Sequence, residues 1–220
     1  TTYEITNIKA DTGYTYNGVH QGKLKGTIGE DDSYVVLDFS TNTYTITFEP
    51  NGGTGGPTTQ KFKYSKGEKI TTSVPTRTGY TFSKWVMKTN TSYTFAPGDT
   101  IPNGWGNFTL VAQWKANQYT AKWFPNGGTL NVTDSSITKN SDGTAQATVT
   151  FNSTSYYRLG ISASRTGYQM TGFYDATSGG TKVWNNGDIC LKDGKYWNSN
   201  NLWIYPNNAN FYAQWTANKY

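Results

Sequence analysis

The sequence predicts a mainly β chain, α+β if a helix is included. It should be tandem small modules, each a twisted sheet of three to five strands with at most one short helix. Three observations lead there. Only 35% of the 220 residues are hydrophobic while 16% are aromatic, so the cores must be assembled from Tyr, Trp and Phe, each ring burying about 150–250 Å². Thr, Asn and Gly fill much of the remainder, a composition suited to short strands joined by tight turns. Finally, the chain repeats itself, and such repeats decide architecture before any single element does.

The first 43 residues read as a partial or diverged copy. Gly13-Tyr14-Thr15-Tyr16 resembles Gly79-Tyr80-Thr81-Phe82, and Val35 to Tyr44 follows the same plan as Leu110 to Tyr119. A truncated copy would leave a sheet edge exposed.

Residues 44–118 form the reference copy. Tyr44, Ile46 and Phe48 alternate with threonines, the period-two pattern of a half-buried strand. Asn51-Gly52 supplies residues tolerant of positive φ for a tight turn. Gly79 marks a turn before an aromatic strand, and Phe108, Leu110, Ala112 and Trp114 alternate again in a closing strand. The crossing segment near Lys69–Ser73 has room for a short helix, though its helical signal is weak.

Residues 119–220 form an enlarged copy. Tyr119-Thr120-Ala121-Lys122-Trp123 and Pro125-Asn126-Gly127-Gly128-Thr129 repeat the opening. Arg165-Thr166-Gly167-Tyr168 repeats Arg77-Thr78-Gly79-Tyr80, and Ala213 to Asn218 repeats Ala112 to Asn117. From Tyr44 to Tyr119 is 75 residues, and from Tyr119 to Tyr220 is 101, with about 13 gained in each half. The later gain carries Trp184, Tyr196, Trp197, Trp203 and Tyr205 interleaved with Asn186 and Asn200. Asp193-Gly194 reads as its hairpin turn. Rings and amides in one hairpin suit sugar stacking or a protein hot spot, or else extend the core. These seven residues are the expected ligand-binding set, within residues 175–208.

Catalysis finds little to work with. There is one histidine, His20, and one cysteine, Cys190, with no nucleophile motif around either. A single thiol cannot form an internal disulfide. Glu30-Asp31-Asp32 lacks the spacing of a calcium loop. No carboxylate pair stands out for glycoside hydrolysis, and no Gly-rich loop carries the Lys-Ser/Thr of a phosphate site. Neither catalytic residues, metal ligands nor a cofactor is expected. The net charge of +5 divides as −3 over residues 1–43, +5 over 44–118 and +3 over 119–220, without a basic run. Nucleic acid is therefore not an expected partner. No run of about 18 apolar residues predicts membrane insertion.

The repeated signatures resemble the Listeria–Bacteroides repeat, also called the internalin B-type B repeat. Tyr44-Thr45-Ile46-Thr47-Phe48, Asn51-Gly52-Gly53, and Pro75-Thr76-Arg77-Thr78-Gly79-Tyr80-Thr81-Phe82 carry the resemblance. The last copy lacks the proline, with Ser162-Ala163-Ser164 before Arg165. The N-terminal piece is similar to a mucin-binding-protein-type repeat. The resemblance implies small β-grasp-like modules in rows on bacterial surface proteins, with no catalytic residues and no single fixed ligand.

The functional expectation is a non-catalytic, monomeric fragment of a Gram-positive cell-surface adhesin. Its signal peptide and anchor would lie outside this sequence. It would bind a host extracellular protein or glycoprotein, immunoglobulin or mucin-type, in preference to a free glycan. The alternatives are a stalk that projects a distant head, or a phage virion fibre or decoration protein.

Overall fold

The computed structural model describes residues 1–29, 34–64, 67–154, 160–185 and 194–219. The described chain is mainly β, with no helix among the described residues. The N-terminal stretch holds β1 (Thr2–Glu4), β2 (Tyr14–Gln21), β3 (Lys25–Thr27) and β4 (Val36–Thr41). There follow β5 (Thr43–Glu49), β6 (Thr59–Lys63), β7 (Tyr80–Met87), β8 (Thr94–Phe95) and β9 (Phe108–Ala116). The remainder holds β10 (Gln118–Phe124), β11 (Thr129–Val132), β12 (Thr138–Lys139), β13 (Ala145–Thr150), β14 (Ile161–Ser164), β15 (Tyr168–Tyr174), β16 (Lys182–Asn185) and β17 (Ala209–Ala217).

These strands form two compact units. One comprises Thr1–Arg77 with Phe82–Trp114, and the other Thr78–Thr81 with Lys115–Tyr220. The first contains small sheets β1-β3 and β2-β4 and the five-stranded sheet β6-β5-β9-β7-β8. The second contains the six-stranded sheet β12-β13-β10-β17-β15-β16 and the small sheet β11-β14. Removing β12 leaves the same strand order in both large sheets, so the internal repeat of the sequence is a repeat of topology.

Each large sheet is centred on a parallel pair made by the opening and closing strands. Ile46 and Phe48 on β5 stand opposite Phe108 and Leu110 on β9, while Ala121 and Trp123 on β10 stand opposite Ala209 and Phe211 on β17. The period-two patterns put these residues on one face. Ile46, Trp85, Leu110 and Ala112 are fully buried in the first unit, as are Trp123, Phe211 and Ala213 in the second.

The segment near Lys69–Ser73 is extended rather than helical. Lys69 bridges Thr100, the Ile70 N–H donates to the Asp99 carbonyl at 2.9 Å, and the Gly98 N–H donates to the Ile70 carbonyl at 3.0 Å. Ile70, Thr71, Thr72 and Val74 are β-branched and lose side-chain freedom in a helix. Pro75 then holds the preceding residue out of the α region.

The Asn-Gly-Gly motif is a lock for the closing tryptophan. Asn51 and Gly52 adopt φ of 49° and 83°. Gly53 presses against the indole, so that a Cβ there would lie 2.5 Å from Trp114 Cζ2. The Trp114 Nε1–H donates to the carbonyls of Pro50 and Asn51, both at 3.1 Å, and Asn51 Nδ2 donates to the Ala112 carbonyl at 2.9 Å. The second unit repeats the turn, the glycine contact and the indole hydrogen bond. Asn126 and Gly127 have φ of 47° and 85°, a Gly128 Cβ would meet Trp215 Cζ2 at 2.4 Å, and the Trp215 Nε1–H donates to the Asn126 carbonyl at 2.9 Å.

Candidate functional site

The aromatic hairpin of the enlarged copy is core. Trp184, Trp197 and Trp203 have no exposed surface and Tyr196 is 5% exposed. Their rings interlock, with centroids 4.8 Å apart for Trp184–Trp197, 4.9 Å for Trp197–Trp203 and 4.7 Å for Trp184–Phe211. In this arrangement these four members of the expected ligand-binding set turn their rings into the core rather than to solvent. The cause is chain length. The two insertions enlarge the sheet's apolar face, and these rings cover it.

The interleaved asparagines shape the backbone. Asn198 Oδ1 accepts the N–H groups of Asn200 and Leu202, both at 3.0 Å, and Asn201 takes a φ of 62°. Asn200 is exposed and Tyr205 half-buried, with Tyr205 edge-on to Tyr196 at 4.8 Å. Asn186 lies outside the described residues, as do Asp193, Cys190 and Glu30-Asp31-Asp32. His20 sits on β2, exposed, with Nδ1 3.3 Å from Asp38 Oδ2.

One polar cluster ties this hairpin down. Asp175 Oδ2 accepts from Lys195 Nζ at 3.2 Å and from the Tyr196 hydroxyl at 3.3 Å, while Oδ1 accepts the Thr181 N–H at 2.6 Å. Partial burial pushes the Asp175 carboxyl up, but the Thr181 N–H and the Lys195 and Tyr196 donors outweigh it and hold it below the ordinary value. The hydrogen bond to Asp175 raises Lys195, and burial raises Tyr196. With both carboxylate oxygens of Asp175 occupied by donors, the cluster is a clamp between the 175–181 loop and residues 195–196. No group of three His, Cys, Asp or Glu able to hold a metal ion occurs among the described residues.

Exposed rings appear instead in the first unit, where residue reading missed them. Tyr93, 47% exposed, stands edge-on to the half-buried Trp105 at 4.9 Å and 85°. Trp105 rests in turn on Phe108 at 5.0 Å and on Phe95 at 5.7 Å, so the core holds the ring in place. Tyr93, Trp105 and Phe108 bound an open depression of about 410 Å³ that also takes in Met87, Thr89, Asn90 and Asn107. Asn90 Oδ1 accepts the Ser92 N–H at 3.1 Å, and Asn107 Oδ1 accepts the Thr45 N–H at 2.8 Å. Both amide planes are thereby fixed. The sequence does carry a signal here: Asn103-Gly104-Trp105-Gly106-Asn107 sets a large ring between glycines, away from any strand alternation.

A second depression, about 740 Å³, lies over the Asn-Gly-Gly lock of the second unit, among Gly127, Arg165, Tyr168, Met170 and Trp215. The Arg165 guanidinium lies over the Tyr168 ring, 3.8 Å from its centroid. Met170 occupies the position that Phe82 fills in the first unit, where Phe82 packs edge-on against Trp114 at 5.8 Å.

Comparison with known proteins places these features. The family model for the Listeria–Bacteroides repeat domain matches residues 44–113. The chain is 34% identical over 145 residues to Internalin H of Listeria monocytogenes serovar 1/2a, covering 60% of this chain and 24% of that protein. It is 30% identical over 121 residues to a protein of Evansella cellulosilytica named as a Gly-rich membrane protein, covering 53% of this chain and 14% of the other. The chain thus spans about a quarter or less of these relatives. No solved structure matches it. The matched residues include the Asn51-Gly52-Gly53 turn of the lock and the strands β6 to β8, and stop one residue before Trp114. Over residues 44–113 the chain therefore matches the Listeria–Bacteroides repeat domain.

Proposed function

We propose that this chain is a non-catalytic segment of an extracellular bacterial surface protein, and that it binds a host glycoprotein through the Tyr93–Trp105 depression. The carrying observation is the pairing of an exposed Tyr93 with a core-anchored Trp105 beside two fixed amides. Trp and Tyr dominate binding hot spots because they contribute large contact area with few rotatable bonds. An indole face also matches the C–H face of a pyranose, and amide N–H groups suit its hydroxyls. A depression of this size takes one or two sugar rings or a single protein side chain. The surface location rests on the Listeria–Bacteroides repeat and on the likeness to part of an internalin.

The test is biolayer interferometry of the full chain against a panel of host glycoproteins, before and after enzymatic deglycosylation. Trp105→Ala and Tyr93→Ala should each weaken binding about 30-fold, the effect of a hot spot worth about 2 kcal/mol. Asn200→Ala should leave binding unchanged. Equal affinity for Tyr93→Ala, Trp105→Ala and the native chain would reject this site.

A second reading is supported by the burial of Trp184, Trp197 and Trp203. With the enlarged copy's rings spent on its own core, a spacer role within a longer array needs no ligand at all. Absence of binding across the whole panel would favour that role.

A further inference from the structure

The Gly-Tyr turn occurs three times, and two of the occurrences carry an aromatic ring seated on the glycine. In the first unit a Cβ on Gly13 would fall 1.9 Å from Tyr64 Cδ1. Tyr14 meets the Tyr64 ring edge-on at 5.9 Å. The Asn42 N–H donates to the Gly13 carbonyl at 2.8 Å, and the Tyr64 N–H donates to the Asn42 carbonyl at 2.8 Å. Thr15 Oγ1 donates to Asn42 Oδ1 at 2.5 Å.

The second occurrence lies wholly within the second unit and has the same parts. A Gly79 Cβ would fall 2.3 Å from Phe151 Cγ, and Tyr80 meets Phe151 edge-on at 5.4 Å. The Asn117 N–H donates to the Gly79 carbonyl at 2.9 Å, and the Phe151 N–H donates to the Asn117 carbonyl at 2.9 Å. Thr81 Oγ1 donates to Asn117 Oδ1 at 2.6 Å. In both cases the ring follows the last residue of a strand, β6 or β13. That strand pairs antiparallel with the one that begins just after the asparagine.

The third occurrence keeps the turn and the asparagine. Gly167 has φ of 77°, and the Asn218 N–H donates to the Gly167 carbonyl at 2.9 Å. Yet no described atom lies within 4 Å of a Cβ placed on Gly167. Tyr168 is 38% exposed, and Gln169 stands where Thr15 and Thr81 stand in the others.

We propose that Gly167, Tyr168 and Asn218 form a docking socket for a further repeat of this kind. The occupant is the aromatic residue that ends such a repeat's second strand, seated on the Gly167 backbone with its N–H on the Asn218 carbonyl. The socket is independent of the glycoprotein reading, since it lies in the other unit from Tyr93 and Trp105. Positive φ already explains why residue 167 is glycine. What points to a ring is the same hydrogen-bonded frame, filled twice and bare once.

The test extends the full chain directly after Asn218, once with a second copy of residues 118–218 and once with a copy of residues 43–117. Amide hydrogen exchange is then followed at residues 167–169. Either extension should slow exchange there at least tenfold. Alanine in place of the extension's ring residue, the counterpart of Phe151 or Tyr64, should restore the original rate. A folded extension, recognised by protection of its own strands, that leaves residues 167–169 exchanging as in the native chain overturns the proposal. So does protection that persists after the ring is removed. Extensions that both stay unfolded on this chain count against it as well, because docking would stabilise them.

Discussion

Gly128→Ala tests the reading of Asn-Gly-Gly as a tryptophan lock. The added Cβ would lie 2.4 Å from Trp215 Cζ2 and 2.6 Å from the Ser164 carbonyl oxygen, about 1 Å inside ordinary contact. Ser164 is held in the β11–β14 ladder opposite Thr129, so the indole is the part free to move. Its departure breaks the Nε1–H bond to the Asn126 carbonyl, about 1 kcal/mol. Repacking around an overfilled site costs about 1–3 kcal/mol more. Gly128 has no positive φ, so loss of unfolded-state freedom returns about 0.4–1 kcal/mol. The net loss is about 1–3.5 kcal/mol, which lowers the urea midpoint by about 0.5–2 M for an m-value of about 2 kcal/mol per M. The assay is urea unfolding followed by tryptophan fluorescence, with Gly143→Ala as control: that site has φ of 81° and nothing within 4 Å of a Cβ, so it reports backbone strain alone. Trp215→Ala and the double variant complete a cycle whose coupling should exceed 1 kcal/mol, on the order expected for groups in contact. A Gly128→Ala midpoint equal to the native one would refute the lock. An additive cycle would put the clash at the Ser164 carbonyl and refute the role given to the indole.

Trp197→Ala and Trp203→Ala should each destabilise the protein by about 3–5 kcal/mol, the usual cost of emptying a fully buried indole site, whereas Asn200→Ala should stay within about 0.5 kcal/mol; urea unfolding distinguishes them. Asp175 adds a pH dependence. Its folded-state value is depressed below 3.8, so its contribution is complete above the unfolded value and is lost as pH falls through the lower folded one. Acid titration of stability should therefore show a loss below about pH 4 that is reduced in Asp175→Asn; identical acid profiles for the two chains would show that the clamp does not form. Trp105→Ala, expected to impair glycoprotein binding, should leave the second unit's unfolding transition unmoved.

The strand plan was legible because it rests on period-two alternation. Tyr44, Ile46 and Phe48, and Phe108, Leu110 and Ala112, fall on the face that the sequence assigns to the core. Repetition of Asn-Gly-Gly and of Gly-Tyr marked backbone positions that only certain residues can occupy, although not what covers them. Pairing Trp114 with Gly53 needs contact across 61 positions, which no local pattern encodes. The weak helical signal near Lys69 gives no helix because it competes with a β-branched run that ends in proline. The burial of Trp184, Tyr196, Trp197 and Trp203 was not legible for a different reason: Trp and Asn close together in sequence describe equally a binding surface and a core with tight turns, and only burial separates them. Tyr93 and Trp105 carry a signal of another kind, a ring flanked by glycines in the copy of ordinary length, which differences in copy length do not reveal.

The two insertions are parts of one change. Where the first unit has a single bridge, Thr54 to Thr76, the second has the four-residue ladder β11–β14, from Thr129–Ser164 to Val132–Ile161. That ladder brings in Leu130 and Ile161, both almost wholly buried, and with them more apolar area than a copy of ordinary length can cover. The later insertion covers it. Trp197, Trp203 and Tyr196 share one core cluster with Leu130, Ile137 and Ile161. The halves are also joined through the backbone, since the Asn152 N–H donates to the Trp203 carbonyl at 2.8 Å and the Trp203 N–H donates to the Ser153 carbonyl at 3.0 Å. An insertion in one half without the other would leave either uncovered apolar surface or indoles without a floor, so packing couples the two gains. Enlargement of a copy is therefore no argument for a ligand, and the case for binding rests on rings that the core fixes without covering, as it does Tyr93 and Trp105.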